Sequence, residues 1–388
     1  MDINGYILDG AFSTENAGFC QWAFARNLKH DFFIKKFIKF KYPDRKKIRS
    51  EALFQKKKKK CDDFYENKKA LYDVLATCRT GNIMAVHEFF RKDEAYYAVS
   101  DKVAGVPLDV RQISNLSSDA KLVLLRSILY SFSAIHTAGI VHADVKPENI
   151  LVIDTCSGYC CPKIIDFDLG FLVSQKPDPE EFGGDQLYFA PESLLYIRSQ
   201  TDRLSAKIDM FSLGILFHEY WTGARPQIDD KYNFVCEAVL NDAPILIDRS
   251  IPPEISDIIN RMLTKEPESR LSATDALLLL SSVDLPSDDM RSSGAAYGGE
   301  SSADAKERAR RETEGAARGV PPADESSSEE AAADDTAKAP GTGRSSKLKI
   351  HMSGKKARKK PEKAKAEGSG NVWGKDDVDT FFRPDDFD

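Results

Sequence analysis

A carboxylate, an ammonium and a side-chain amide follow closely on one another in His142-Ala143-Asp144-Val145-Lys146-Pro147-Glu148-Asn149. Asp144 can accept a proton, and Lys146 can offset charge on a transferring phosphoryl group. Asn149 can offer a carbonyl oxygen to a hard cation. Further on, Asp166-Phe167-Asp168 supplies the carboxylate that Asn149 lacks. A base, a Lys and two oxygen ligands, Asn149 and Asp166, suit metal-assisted phosphoryl transfer.

Such groups need rigid flanks. An apolar helical pattern from Leu122 to Ile135 and the run Gly139-Ile140-Val141 precede the first segment, and the apolar strand Ile150-Leu151-Val152-Ile153 follows it. A second strand, Lys163-Ile164-Ile165, leads into Asp166. The polar stretch is thus held between buried ones.

These motifs resemble those of the eukaryotic-like (Hanks-type) Ser/Thr protein kinase family. The first segment is similar to the catalytic loop His-Arg-Asp-Leu-x-x-x-Asn, the second to the metal-binding Asp-Phe-Gly, and Ala190-Pro191-Glu192 to the end of the activation segment. The resemblance spans residues 1–285 and implies an α+β, bilobal protein-kinase fold. A small antiparallel-sheet lobe would occupy 1–100 and a mainly helical large lobe 101–285. The implied cofactors are ATP and Mg²⁺, with Asn149 and Asp166 as metal ligands. Lys146 is similar to the Lys that marks Ser/Thr rather than Tyr kinases. Asp209 would anchor the catalytic loop from the long apolar helix 208–221, and Arg270 would pair with Glu192.

In the small lobe, strands are expected at Tyr6–Leu8, Phe19–Ala25 and Phe32–Lys35, and later over 82–90 and 96–99. By resemblance Lys35 grips the nucleotide phosphates, and Gly18 is the third glycine of the phosphate-covering loop. Ser13 and Glu15 stand where the first two would be. Gly10, or the side chains of Thr14 and Asn16, would have to compensate. Phe33 replaces a small residue against the adenine, while Asp101 and Val103 fall at the hinge that holds it. The ion-pair partner of Lys35 is expected to be Glu66, on a helix from Cys61 to Ala76, with Glu51 on an earlier basic helix as the competitor.

Further departures shape the expected regulation. Ala143 replaces the Arg that would receive a loop phosphate. Ser174 is the only hydroxyl between Phe171 and Gly184, so switching by loop phosphorylation is not expected. Asp185 replaces a Thr and is expected to pair with Lys146. Asp168 replaces Gly and loses easy access to positive φ.

Composition bounds the rest. A chain of 388 residues can bury a sizeable core. A net charge of -6 gives no wholesale attraction for nucleic acid. No apolar run is long enough for a bilayer, and Met1-Asp2-Ile3-Asn4 does not open a signal peptide. The expectation is a cytoplasmic protein without membrane or nucleic-acid partners. The seven cysteines are odd in number and form no disulfide framework. Cys156, Cys160 and Cys161 are expected as reduced thiols in the turn between the catalytic strands, with zinc as the alternative.

From residue 286 Ser, Ala, Gly, Pro, Glu and Lys dominate without apolar periodicity, which predicts a disordered tail over 286–388. Its end, 372–388, sets Trp373, Phe381 and Phe382 among Asp residues, the pattern of a docking peptide with its own partner. Its target is a basic surface such as Lys56 to Lys60. Ser326 to Ser328 would offer sites for a phosphopeptide-binding protein. The reading is an ATP- and Mg²⁺-dependent kinase of protein substrates. Asp144 is the base, and Lys146, Lys35 and Glu66 complete the machinery. The alternative is a pseudokinase acting as a nucleotide-binding interaction module. A small-molecule kinase is disfavoured by Ala190-Pro191-Glu192.

Overall fold

The computed structural model describes residues 1–15, 20–28, 30–78, 80–155 and 159–285. Gly18, Asn16, Cys156 and everything expected of the tail lie outside them.

The first part is an antiparallel sheet. Its strands are β1 (Asp2–Ile3), β2 (Tyr6–Leu8), β3 (Cys20–Asn27), β4 (His30–Phe37), β5 (Val86–Lys92) and β6 (Ala95–Asp101), in the order β1-β2-β3-β4-β6-β5. Side chains alternate between its faces. Ile3, Tyr6, Leu8, Ala23, Ala25, Ile34, Tyr97 and Val99 pack on one face. Cys20, Phe37, Tyr96 and Ala98 join the main core from the other. The register sets Lys35 opposite Trp22 and Ala98, so the inner face carries Lys35 with aromatic neighbours on β3.

Helix α1 (Glu51–Leu75) crosses that inner face. Ser50 caps it by accepting a hydrogen bond from the Leu53 amide. Cys61, Lys68, Leu71, Tyr72 and Leu75 form its buried stripe. The basic run and the expected helix 61–76 are one continuous element. No Gly or Pro interrupts 51–75, and Lys and Gln are good helix formers. Phe37, Phe40, Phe64, Phe89 and Tyr96 interlock where α1 meets the sheet, with ring centroids 4.1–6.3 Å apart.

The chain then passes through β7 (Pro107–Leu108) and α2 (Val110–Ser114) into α3 (Ser118–Thr137), which Ser117 caps. Next come β8 (Ile140–Val141), β9 (Ile150–Asp154), β10 (Cys160–Ile164) and β11 (Phe171–Leu172). These small sheets pair in the orders β10-β9-β7 and β11-β8. Cys160 and Cys161 belong to β10, not to the turn before it, so as consecutive strand residues they face opposite sides. Among the described residues no group of three His, Cys, Asp or Glu side chains is arranged to hold a metal.

Helices α4 (Pro191–Ile197), α5 (Lys207–Thr222), α6 (Val235–Leu240), α7 (Pro253–Met262) and α8 (Ala273–Ser281) complete the second part. α5 is buried nearly all round, from Ile208 to His218 and at Tyr220 and Trp221. A side chain at Gly214 would meet Leu263 at 2.9 Å, so a larger residue there would have to displace Leu263 where α5 packs against the end of α7. No described helix is long and apolar enough to cross a membrane.

Candidate active site

The stretch from His142 to Asn149 hangs from α5. Asp209, 1% exposed, accepts hydrogen bonds from the His142 amide at 2.8 Å, the Ala143 amide at 2.9 Å and the His136 ring at 2.9 Å. These bonds fix a bend in which Ala143 has φ of 66°. A non-glycine residue holds that conformation only where its surroundings over-determine it. His142 closes the other side: its ring bonds the Ile165 carbonyl at 3.0 Å and lies 4.6 Å from the Phe167 ring. The Ile165 amide bonds the Asn149 carbonyl at 2.9 Å, which brings Asn149 beside the Asp166 segment.

Asp144 is held by three donors. Its Oδ2 accepts from Asn149 Nδ2 at 2.8 Å and Lys146 Nζ at 3.1 Å, and its Oδ1 from the Asp185 amide at 3.2 Å. Lys146 therefore pairs with Asp144, correcting the expected pair with Asp185. The Asp185 carboxylate is instead engaged locally, capping a 3₁₀ turn by accepting from the Leu187 amide at 3.0 Å. Asn149 also donates to the Asp144 carbonyl at 2.7 Å.

Lys35 reaches across from β4. Its Nζ lies 2.8 Å from Asp166 Oδ1 and 3.0 Å from Asp168 Oδ2. Burial alone would depress the Lys35 pKa, but the two carboxylates outweigh it and the net shift is upward. Burial pushes the Asp166 carboxyl up, yet the adjacent ammonium reverses this and holds it below its ordinary value. Asp168 is raised by burial and by the charge of Asp166. Asp166, not Asp168, adopts positive φ, at 63°, so the loss of Gly at 168 costs nothing there.

Glu66 is not the partner of Lys35. It lies on the exposed side of α1, two residues from Lys68, which occupies the buried stripe. On a 3.6-residue period Lys68 aligns with Cys61, Tyr72 and Leu75, and Glu66 does not. Glu51 is exposed and pairs with Arg45. Lys68 donates to the carbonyls of Phe167 at 3.2 Å and Gly170 at 2.9 Å. Burial drives its pKa down to about 8. The period that Lys68 shares with Cys61, Tyr72 and Leu75 is the sequence signal that places it on the buried face.

The face of the sheet that carries Lys35 is aromatic. Trp22 stacks on Phe33 at 5.7 Å, and Phe24 meets them edge-on at 5.4 and 6.1 Å. Lys102 lies over Phe24 at 4.3 Å. The Trp22 indole donates to the Glu15 carbonyl at 2.8 Å, folding 13–15 back over β3. Phe33 is paired in register with Ser100, whose small side chain lies beside this cluster. Asp101 ends β6 and pairs with His87 at 2.7 Å, and Val103 lies in the connection after it. Asp166 and the Asn149 side-chain carbonyl are hard oxygen donors, a set that fits Mg²⁺.

The protein kinase domain family matches residues 44–278. The chain belongs to that family. The matched span begins after β4, so Lys35 and the aromatic strands β3 and β4 lie upstream of it. A probable myosin light chain kinase of Dictyostelium discoideum is 31% identical over 205 residues, 50% of this chain and 64% of that protein. The Ser/Thr kinase cds1 of Schizosaccharomyces pombe is 32% identical over 215 residues, 53% of this chain and 45% of its own. The chain thus spans only 64% and 45% of these relatives' own lengths. The solved PK-1 kinase of Cydia pomonella granulovirus superposes with a TM-score of 0.50 at 18% identity, over 71% of this chain and 93% of that one, a likeness of fold.

Proposed function

We propose that the kinase transfers the terminal phosphoryl group of ATP, with Mg²⁺, to Ser or Thr hydroxyls of proteins. The observation that carries this is Asp144, oriented by Asn149, Lys146 and the Asp185 amide. Bound Mg²⁺ and ATP would supply the phosphoryl group and spread its charge. Among the described residues Asp144 Oδ1 accepts one amide bond, which leaves it able to take the substrate's hydroxyl proton. Lys146 offsets charge at the same place, and Lys35 binds the phosphates. Asp166 and Asn149 would hold the metal. The aromatic-acidic peptide 372–388 is a docking element for a partner, and Ser326 to Ser328 are phosphosites for a phosphopeptide-binding protein. Labelled ATP and Mg²⁺ with the full chain and a general protein substrate give the test. Label should appear on Ser or Thr with the wild type and vanish with Asp144→Asn; equal incorporation by both would end this reading.

The Trp22, Phe24 and Phe33 cluster favours a second reading, an interaction module whose adenine space is taken by aromatic rings. ATP titration by calorimetry separates the two. Absence of binding at millimolar ATP, together with absence of transfer, would select the module.

A further inference from the structure

Two charged residues stand in unexpected places around Lys35. The buried position of α1 facing the metal loop holds a cation, Lys68, and the residue after Phe167 is an anion, Asp168. Asp168 Oδ2 accepts from Lys35 Nζ at 3.0 Å and from the Cys20 thiol at 3.2 Å. Lys68 bonds only backbone carbonyls in this region, and among the described residues no carboxylate lies within ion-pair distance of it. Gly170 lets the backbone of this loop pack tightly on itself and on β8. A side chain there would press on the carbonyls of Val141 and Phe167 at 3.1 and 3.2 Å.

We infer that Asp168 is the positioning carboxylate for Lys35, and that Lys68 is a clamp tying α1 to the backbone of the metal loop. The acid and the base are transposed relative to an arrangement in which the helix carries the acid. The chemistry gives the transposition a purpose. Asp166 cannot both ligate a cation and balance Lys35 fully. Asp168 keeps a carboxylate on Lys35 when Asp166 is engaged elsewhere. An acid at 68 would stand against two carbonyl oxygens and near two carboxylates, whereas an ammonium there satisfies them. Lys35 is then set from the metal loop itself, while α1 is held through carbonyls that no side-chain rotation can withdraw.

The catalytic half of this inference rests on the phosphoryl-transfer reading; the structural half does not. The experiment uses the full chain with Asp168→Gly, Asp168→Asn, Lys68→Glu and the double variant Lys68→Glu/Asp168→Gly, which moves the acid onto the helix. Three quantities are read: melting of the nucleotide-free protein, ATP affinity, and initial rates resolved into kcat and KM for ATP. Asp168→Asn should lower kcat/KM for ATP at least about tenfold, with its melting temperature nearly unchanged. Lys68→Glu should be the worst single variant. The double variant should melt higher and bind ATP more tightly than Lys68→Glu alone, a non-additivity that marks coupling. Wild-type ATP affinity and rates in both Asp168 variants would overturn the positioning role. Strict additivity of the melting changes would overturn the transposition. If the wild type transfers no phosphoryl group, the proposed function fails, but the melting cycle still decides whether residues 68 and 168 act as a pair.

Discussion

Asp144 and Phe33 present opposite problems at the level of single residues. Asp144 keeps three donors that orient its carboxylate, and its chemistry needs the negative charge and basicity that an amide lacks. Asp144→Asn should therefore cut turnover by a factor of about 10² or more while leaving ATP affinity and melting close to wild type. Initial-rate and calorimetric measurements on the same preparation check both halves. Phe33 instead occupies space, stacked on Trp22 at 5.7 Å. Phe33→Ala should open room for a purine and tighten ATP binding by roughly tenfold, or about 1.4 kcal/mol. Weaker binding would mean that the ring is a stacking surface for the base, not an obstacle to it.

Between elements, a few buried polar contacts lock the second part. Arg270 donates to both carboxylate oxygens of Glu192 at 2.6 and 3.1 Å, linking α4 to the turn before α8, and both residues are buried. Arg270→Ala would leave Glu192 as an unpaired buried charge and should cost about 3–5 kcal/mol, read by denaturant unfolding. Glu192→Gln in the same background should recover part of the loss. His218 of α5 is also buried. Its Nδ1 bonds the Ala224 carbonyl at 2.8 Å and its Nε2 accepts the Asp248 amide at 3.1 Å, which requires the neutral ring. Burial lowers its pKa below the ordinary 6.5. The unfolded chain then binds the proton more readily than the folded one. The resulting contribution to stability is complete above about pH 6.5 and is lost progressively as pH falls below it. Melting temperatures from pH 7.5 to 5 should drop less steeply for His218→Gln than for the wild type; parallel curves would rule out the histidine as the source.

For the molecule as a whole, the decisive question is what holds the segment between Asp168 and α4. β11 pairs with β8, Tyr196 donates to the Pro177 carbonyl at 2.6 Å, and Lys176 donates to the Asp202 carbonyl at 2.9 Å. Phe182 is buried among Phe171, Phe189 and Tyr196, with ring centroids 5.5–6.5 Å away. This aromatic packing fixes the segment without a phosphate, and Ala143 offers no guanidinium to receive one. Ser174 is exposed and outside these contacts. Ser174→Ala and phosphatase treatment should each leave initial rates within about threefold of the untreated protein, and a loss above tenfold, about 1.4 kcal/mol in the barrier, would show a phosphorylation switch.

Residue types at short separations in sequence were legible without a structure. Asp144, Lys146, Asn149 and Asp166 lie on two local segments whose flanking apolar runs already declare buried strands, so their chemistry and their mutual nearness follow from the chain itself. The same holds for α5, whose apolar letters run all round, and for Asp209 at its start. What sequence could not decide were choices between equivalent charges brought together over long separations. Glu66 and Lys68 are two residues apart on one helix; the apolar period puts Lys68 on the buried face, but the carbonyls it meets there are set only by the docking of α1. Lys35 and Asp168 meet across 133 positions, and their contact depends on where the sheet lies over that loop. Asp185 had a plausible partner in Lys146, yet its carboxylate caps a backbone amide two residues on and Lys146 pairs with Asp144. Hydrophobic periodicity fixes faces and elements, because burial of apolar area is non-directional and additive. Ion pairing is directional and short-ranged, so the choice of partner is made only once the packed elements bring particular atoms within about 3 Å.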